Sequence, residues 1–399
     1  MLAPGPAFAQ ETTPSSLRPG WVPPTPTGLV AESALLRKCR GGSNFRTSAT
    51  TDSLSERTEE ITVNRPSAYV FPMLIALYYP FCTAKVQPTM PPWDAPQAEF
   101  WKRPNNVASR DLLYGPWGGE RAPDPDATYT FVERKQQGTN PGVTVLDPLG
   151  REWHVKQPPH NDQGAEGPIE VTLSRVLSGV GYHQPPVYFL PSFSLKDEKG
   201  THVAPGGRFR LTEKSIKHVG IWSWQQNPFV GTRPYQGLLV ILMMFNSSDL
   251  KNENNALYDV KKREEGVDRW YVVRDLGTAL GETGRLAPHR GDPDIFQREA
   301  FINGVKDGFV QFNYRGWHQE LVKRISPDDV AWASELLGQL TDQQWSDAFR
   351  AGGYEPAAAD RFIRRLHQKI VEGRRLGEIV MSPHPPIRRP SPLTVGARR

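Results

Sequence analysis

The sequence contains little cysteine and lacks a long, uninterrupted apolar run. Its 399 residues include only Cys39 and Cys82. Neither belongs to a CxxC or Cys/His pattern, so we expect two unrelated thiols rather than a structural zinc site. The apolar stretch at residues 69–84 contains two prolines, and that at residues 237–245 has nine residues. A bilayer-spanning helix needs about 20 apolar residues, so we expect no integral membrane segment.

A strong charge bias is also absent. The formal net charge is +5, and the basic tail at residues 387–399 supplies part of it. The sequence shows no basic stripe with interleaved aromatic residues, no zinc-finger pattern and no RNP-type motif. We therefore do not expect nucleic acid as a partner.

Proline and glycine, by contrast, are abundant, at 38 and 35 residues. Residues 1–68 are rich in Ser, Thr and Pro without a sustained period, which predicts a disordered or targeting segment. Residues 69–127 combine prolines with aromatics, and we expect an irregular extension there. A disordered basic tail is predicted at residues 382–399, which leaves residues 128–381 as the folded part.

Targeting signals near the start are mixed. Residues 7–9 read AFA, like a signal-peptidase site, but no basic segment or apolar core precedes them. Residues 69–84 would serve as the apolar core of a signal peptide if translation began near Met73. We favour export, to the periplasm or the medium, over a cytoplasmic location, and both stay open.

The pattern of apolar residues predicts strands first and then helices. Residues 128–134, 143–146 and 151–157 predict a three-stranded antiparallel meander. A helix follows, because apolar residues recur at three- and four-residue spacing from Ile169 to Val180. The fold class is therefore α+β, with a sheet followed by a mainly helical part.

In the second half of the sequence, a predicted helix and a predicted hairpin lie on either side of one polar segment. Residues 237–245 are wholly apolar and predict a buried helix, and residues 256–260 and 270–274 predict a hairpin. Capping signals at Ser326 and Thr341 predict the starts of two later helices.

The polar segment between the buried helix and the hairpin carries the strongest motif. Residues 248–255 read SDLKNENN. This closely resembles the catalytic loop of protein kinases, D-L-K-x-x-N. The resemblance implies that Asp249 orients an acceptor hydroxyl and takes its proton, and that Asn254 binds a metal ion. It also implies that Lys251 contacts the transferred phosphate.

Two further positions resemble kinase motifs in the expected order. Asp275 begins an Asp-Leu-Gly segment after a strand, similar to the D-F-G motif that binds magnesium. Lys156 ends the third strand and resembles the lysine that pairs with the nucleotide phosphates. The resemblance implies that a glutamate on the next helix holds this lysine, and we choose Glu170, with Glu166 as the alternative.

The loop at residues 136–142 lies where kinases place a glycine-rich phosphate loop. It offers Gly138 and Gly142 as nucleotide contacts but lacks the G-x-G-x-x-G spacing. Ser247 and Ser248 replace the usual His-Arg before the catalytic aspartate, and no A-P-E segment follows Asp275.

Together these motifs resemble a divergent, atypical branch of the protein-kinase-like superfamily. The resemblance implies a two-lobed fold, with an antiparallel-sheet small lobe at residues 128–235 and a mainly helical large lobe at residues 236–381. It implies an ATP- and Mg²⁺-dependent phosphotransferase whose acceptor is unknown.

Other functions remain open on the sequence. Each motif residue alone has a simpler explanation as a solvated lysine, a first-turn acid, a turn or a helix cap. A pseudokinase would keep the fold as a nucleotide- or protein-binding scaffold. An exported carbohydrate-binding protein would use exposed tryptophans, and the candidates are Trp222, Trp224, Trp317, Trp332 and Trp345.

Overall fold

The computed structural model describes residues 95–135, 140–159, 165–261, 267–285 and 289–381. The predicted terminal segments, both cysteines, the AFA site and Gly138 lie outside these residues. In the described ranges, no helix is both long and apolar enough to cross a membrane. The domain boundaries given above stay predictions.

Five strands form a closed barrel in the first half of the described chain. They are β1 (Thr128–Arg134), β2 (Gly142–Leu146), β3 (Glu152–Lys156), β4 (Val187–Asp197) and β5 (Gly200–Leu211). The strand order is β1-β2-β3-β5-β4. Strands β1 to β3 confirm the predicted meander, and aromatic side chains from β1, β3, β4 and β5 fill the interior.

The expectation of a simple antiparallel sheet was wrong. Strand β4 pairs with β5 on one side and, in parallel, with β1 on the other, with Thr128 opposite Ser194. The 11 residues of β4 are long enough to reach both neighbours. The full extent of β4 and the whole of β5 were not predicted from the sequence, because Pro191 and Pro205 interrupt the strand pattern.

The helix α1 (Glu166–Gly179) connects β3 to β4 and is buried along nearly its whole length. The extension before the barrel packs against it and contains short 3₁₀ turns. Arg175 on α1 is 1% exposed and donates hydrogen bonds to the carbonyls of Leu113 and Val187. The extension is thereby fastened to the helix that carries Glu170.

A second sheet and a buried helix follow. The sheet has the order β6 (Ile216–Gly220), β7 (Asn255–Val260) and β8 (Arg269–Val273). The helix α2 (Arg233–Met244) begins after the N-cap Thr232 and is apolar on nearly every face, so it lies inside the main core. Both the buried helix and the β7–β8 hairpin were predicted.

The C-terminal part is mainly helical and completes an α+β fold. It contains α3 (Pro293–Arg298), β9 (Ile302–Lys306), β10 (Phe309–Phe312), α4 (Pro327–Leu337), α5 (Asp342–Ala351) and α6 (Pro356–Met381). The caps predicted at Ser326 and Thr341 are confirmed, each as a capping box. The helix α3 and the β9–β10 hairpin were not predicted from the sequence.

Candidate active site

The β7–β8 hairpin places two of the sequence motifs side by side. Strand β7 begins directly after Asn254, and β8 ends directly before Arg274. Because the strands are antiparallel, with Asn255 opposite Val273, these ends meet. The backbone N–H of Arg274 donates to the carbonyl of Asn254 at 2.8 Å. Asn254 and Asp275 therefore lie at the same end of one hairpin.

Side chains within the loop at residues 248–255 fix its shape. The amide nitrogen of Asn254 donates to the backbone carbonyl of Asp249 at 2.8 Å. The ammonium of Lys251 lies 2.8 Å from the Asp249 carboxylate. These two contacts fold the loop back on itself, so that Asp249, Lys251 and Asn254 form one compact group.

The segment that follows β10 holds this loop in place through hydrogen bonds. The backbone N–H of Trp317 and the hydroxyl of Tyr314 donate to the carbonyl of Ser248 at 3.0 and 3.2 Å. A Cβ on Gly316 would lie 2.3 Å from the same carbonyl oxygen, so only glycine fits there. Ser248 in turn donates through its backbone N–H to the carbonyl of Thr278 at 3.2 Å. The loop and the segment that follows Asp275 are thus tied together a second time.

Three non-glycine residues beside these contacts have left-handed backbone conformations. The φ angles are 51° at Asp275 and 55° at both Asn246 and Leu280. Such conformations are uncommon in residues with a side chain and cluster at functional sites. The amide of Asn246 donates to the carbonyl of Gly281 at 2.6 Å, which helps to hold the two turns against each other.

Lys156 lies among three carboxylates. Its Nζ is 2.8 Å from Asp275, 3.0 Å from Glu166 and 3.4 Å from Glu170. The predicted Lys156–Glu170 ion pair is confirmed, and the alternative residue, Glu166, contacts the lysine as well. Helix α1 begins at Glu166, so the two glutamates are one turn apart and point the same way.

The electrostatics of this group favour the charged forms of Lys156 and Asp275. Burial opposes the charge on Lys156, but Asp275, Glu166 and Glu170 together outweigh it and raise the lysine pKa. The Lys156 ammonium is also the main reason that the pKa of Asp275 lies well below its usual range. The Asp275 side chain is nevertheless 48% exposed. It therefore presents an ionised carboxylate to solvent.

Sequence reasoning missed three partners of this group. Arg208 lies 2.9 Å from Glu170, Arg290 lies 2.6 Å from Glu166, and Asn140 donates a hydrogen bond to Glu166. Arg208 stands opposite Lys156 on the unpredicted strand β5. Arg290 belongs to a connection with no motif, so no signal in the sequence identified it.

The predicted glycine loop is only partly described. Gly142 begins β2, directly opposite Lys156 in the sheet. A Cβ there would lie 2.5 Å from the carbonyl of Val155, so strand packing alone explains this glycine. The contact predicted between Gly142 and a nucleotide stays a prediction.

The donor set fits a hard cation bound together with phosphate. In the described part of the chain, no three His, Cys, Asp or Glu side chains gather as a metal site. Mg²⁺ instead commonly takes one or two carboxylates and completes its shell with water and substrate phosphates. Asp275 supplies an exposed carboxylate, and Asn254 an amide oxygen, at the same end of the hairpin. These oxygen ligands suit magnesium better than a soft metal.

A separate cavity of about 550 Å³ lies between the N-terminal extension and α4. Trp101, Pro104, Arg233 and Trp332 contribute to its walls, and none of the predicted nucleotide, metal or catalytic residues does.

Of the five tryptophans that were candidates for carbohydrate binding, Trp222, Trp224 and Trp345 are at most 1% exposed. The carbohydrate-binding alternative therefore loses most of the exposed aromatic surface on which it depended.

Comparisons with known proteins give little further identification. No family model and no curated protein matches the chain. Among solved structures, the chain is similar to the proinflammatory kinase CtkA of Helicobacter pylori, with a TM-score of 0.39 and 10% identity. The alignment covers 64% of this chain and 99% of that one.

Proposed function

We propose that the chain has a protein-kinase-like fold and is an ATP- and Mg²⁺-dependent phosphotransferase. The observation that carries the proposal is the 2.8 Å contact between Lys156 and Asp275, beside a hairpin end that also holds Asn254. A cation that suits phosphate and oxygens that suit a metal ion thus come together from distant parts of the sequence, which supports the proposal. Phosphoryl transfer depends mainly on such positioning and on electrostatic stabilisation.

In this proposal each charged group has one task. Lys156 binds phosphate oxygens of the nucleotide, and Glu166 and Glu170 hold it in place. Asp275 and Asn254 hold the metal ion, whose charge would offset that of the phosphates. Asp249 orients the acceptor hydroxyl and takes its proton, and Lys251 is close enough to Asp249 to contact the transferred group.

The described arrangement also implies an exchange of partners when nucleotide binds. Lys156 and Asp275 neutralise each other at 2.8 Å. A nucleotide phosphate would replace Asp275 as the partner of Lys156, and the metal ion would replace Lys156 as the partner of Asp275. Lys156 and Asp275 would then each exchange one oppositely charged partner for another.

The second candidate is a pseudokinase, a scaffold that binds nucleotide or protein without turnover. It is favoured by Ser247 and Ser248, which stand where kinases usually have His-Arg. It also agrees with the 2.8 Å Lys251–Asp249 pair, because the carboxylate that would face an acceptor hydroxyl is already paired with an ammonium.

Replacement of Asp249 by Asn separates the two candidates. Phosphoryl transfer from radiolabelled ATP is measured with Mg²⁺, using water, the chain itself and a panel of hydroxyl compounds as acceptors. For an enzyme, we expect Asp249→Asn to lower turnover by roughly 10²–10⁴-fold, as for loss of an acid–base group, while nucleotide binding stays nearly unchanged.

Asp360→Asn is the matched control, because Asp360 is exposed on α6. It should leave turnover unchanged. Nucleotide binding without transfer to any acceptor would favour the pseudokinase. Equal turnover in Asp249→Asn and the wild type would contradict the role given to Asp249.

A further inference from the structure

The cavity between the N-terminal extension and α4 has no part in the proposed phosphoryl transfer. The extension forms one wall, while α4 and the start of α2 form the other. The cavity measures about 550 Å³, and its apolar lining consists of Trp101, Pro104, Val107, Pro234, Trp332 and Leu336. This size, with mostly apolar and aromatic walls, is typical of cavities that bind a largely apolar occupant.

Two tryptophans determine the shape of the cavity. Trp101 and Trp332 contact each other edge to face, with ring centroids 5.3 Å apart. The indole N–H of Trp101 donates to the carbonyl of Val180 at 2.8 Å. On the other side, a Cβ at Gly237 would overlap the Trp332 ring, so α2 admits this ring only because residue 237 is glycine. The aromatic walls are therefore held in place by the fold.

The three charged side chains in the cavity wall are either paired or exposed to solvent. Glu335 pairs with Arg374 at 3.0 Å, and Arg233 pairs with Asp329 at 3.2 Å. The third, Arg103, is exposed. Because the chain itself balances the charges on Glu335 and Arg233, charge complementarity favours an uncharged occupant.

The chain contains an uncharged apolar segment that is close to this cavity in sequence. Residues 70–81 read VFPMLIALYYPF. The described chain begins at Ala95, two residues before Gln97 in the cavity wall. An extended chain spans about 3.3 Å per residue, so residues 82–94 are long enough to lead from this segment back to the cavity. The basic tail at residues 387–399 is a poorer match, because the wall already contains two arginines.

We propose that residues 70–81 bind in this cavity and cover Trp101, Trp332 and Leu336. The contact removes apolar surface of both partners from water, which is favourable. The short connection to Ala95 keeps the segment at a high effective concentration, so a few buried side chains are enough to hold it. This contact is independent of the proposed function, because none of its residues belongs to the nucleotide, metal or catalytic groups.

Cys82 directly follows the segment, so a cross-link to it measures where the segment lies. In the full chain with Cys39→Ser and Gln339→Cys, a short bismaleimide should join Cys82 to position 339, and mass spectrometry of the peptides locates the link. Gln339 is exposed in the cavity wall. Lys199→Cys, at the exposed turn between β4 and β5, replaces Gln339→Cys in the matched control and should give no such link.

Charges placed in the segment should break the contact. Leu74→Asp together with Leu77→Asp should lower the yield of the link about tenfold or more, because burial of unpaired carboxylates is costly. Ala76→Ser, between these positions, should keep the link. Arg103→Cys, on the opposite wall, repeats the measurement at a second exposed position.

Several results would overturn the proposal. They include a folded chain that forms no link at position 103 or 339, an equal yield in Lys199→Cys, and a yield that the two aspartates leave unchanged. A link between two chains would assign the cavity to a second copy of the protein. An intact mass that lacks residues 70–81 would show that the segment is removed. Both of these results would also contradict the proposal, and none of them bears on nucleotide binding.

Discussion

Two groups of cations in this protein differ in how acidic side chains of the chain balance their charge. Lys156 has three carboxylates within 3.4 Å. Arg210 and Arg274, a few residues further along, have no acidic partner in the described part of the chain. Acidic side chains compensate the charge of the first group, and no ion pair compensates that of the second. We therefore expect the two groups to respond differently when a cation is removed.

Removal of Lys156 should have the largest effect on stability. Lys156→Met removes the cation that Glu166 and Glu170 share and leaves each carboxylate with one arginine partner. Breaking a buried ion pair costs about 3–5 kcal/mol. The free energy of unfolding, measured with urea, should fall by about that amount. Arg210→Met should leave it unchanged or raise it, because the substitution removes repulsion between like charges.

This pair of variants tests the comparison directly. Lys323→Met, at an exposed lysine, is the control for loss of a surface charge. If Lys156→Met and Arg210→Met destabilised the chain equally, the two groups of cations would not differ in compensation.

A third buried cation, Lys369, is intermediate between these cases because its partners are neutral. It is fully buried on α6 and donates to the carbonyl of Met244 at 2.7 Å and to the amide oxygen of Asn246 at 2.8 Å. Lys369 thereby supports the turn that leads from α2 into the loop of Asp249. Burial is the main cause that places its pKa well below the ordinary value.

Replacement of Lys369 should give a smaller, pH-dependent loss of stability. Lys369→Met leaves two buried oxygens unpaired, which costs about 1–3 kcal/mol. Between the lowered pKa and the ordinary lysine value of about 10.4, the unfolded chain binds the extra proton. The wild type should therefore gain stability over Lys369→Met as the pH rises through this window. Urea unfolding at several pH values measures this difference, and a difference independent of pH would contradict the assignment.

The group around Lys156 could be predicted from the sequence better than the neighbouring strand β5. Lys156, Glu170 and Asp275 follow regular patterns of strand, helix and strand, and the structure brings them together. Arg208 and Arg210 lie on β5, which was not predicted because two prolines in the β4–β5 hairpin interrupt the strand pattern. Closure of the barrel was also missed, because it depends on a parallel pairing of Thr128 with Ser194. No local pattern encodes a contact between residues so far apart in the chain.

For the predicted residues, the structure shows some of the expected contacts, whereas the ligands they would bind stay predictions. The structure contains the contacts of Lys156 with Glu170 and of Asp249 with Asn254. The assignment of Asn254 and Asp275 to a metal ion and of Gly138 and Gly142 to a nucleotide stays a prediction. Chemistry of that kind depends on a ligand, and residue spacing alone predicts the position of a side chain rather than what it binds.

Nucleotide binding with and without Mg²⁺ is the most direct test of the central claim. The full chain, Asp275→Asn and the control Asp360→Asn are titrated with ATP by calorimetry. We expect Mg²⁺-dependent binding by the wild type and by Asp360→Asn, and loss of that dependence in Asp275→Asn, because Asp275 carries the exposed carboxylate beside Lys156. Failure of the wild type to bind ATP, or binding that ignores both Mg²⁺ and Asp275→Asn, would contradict the account.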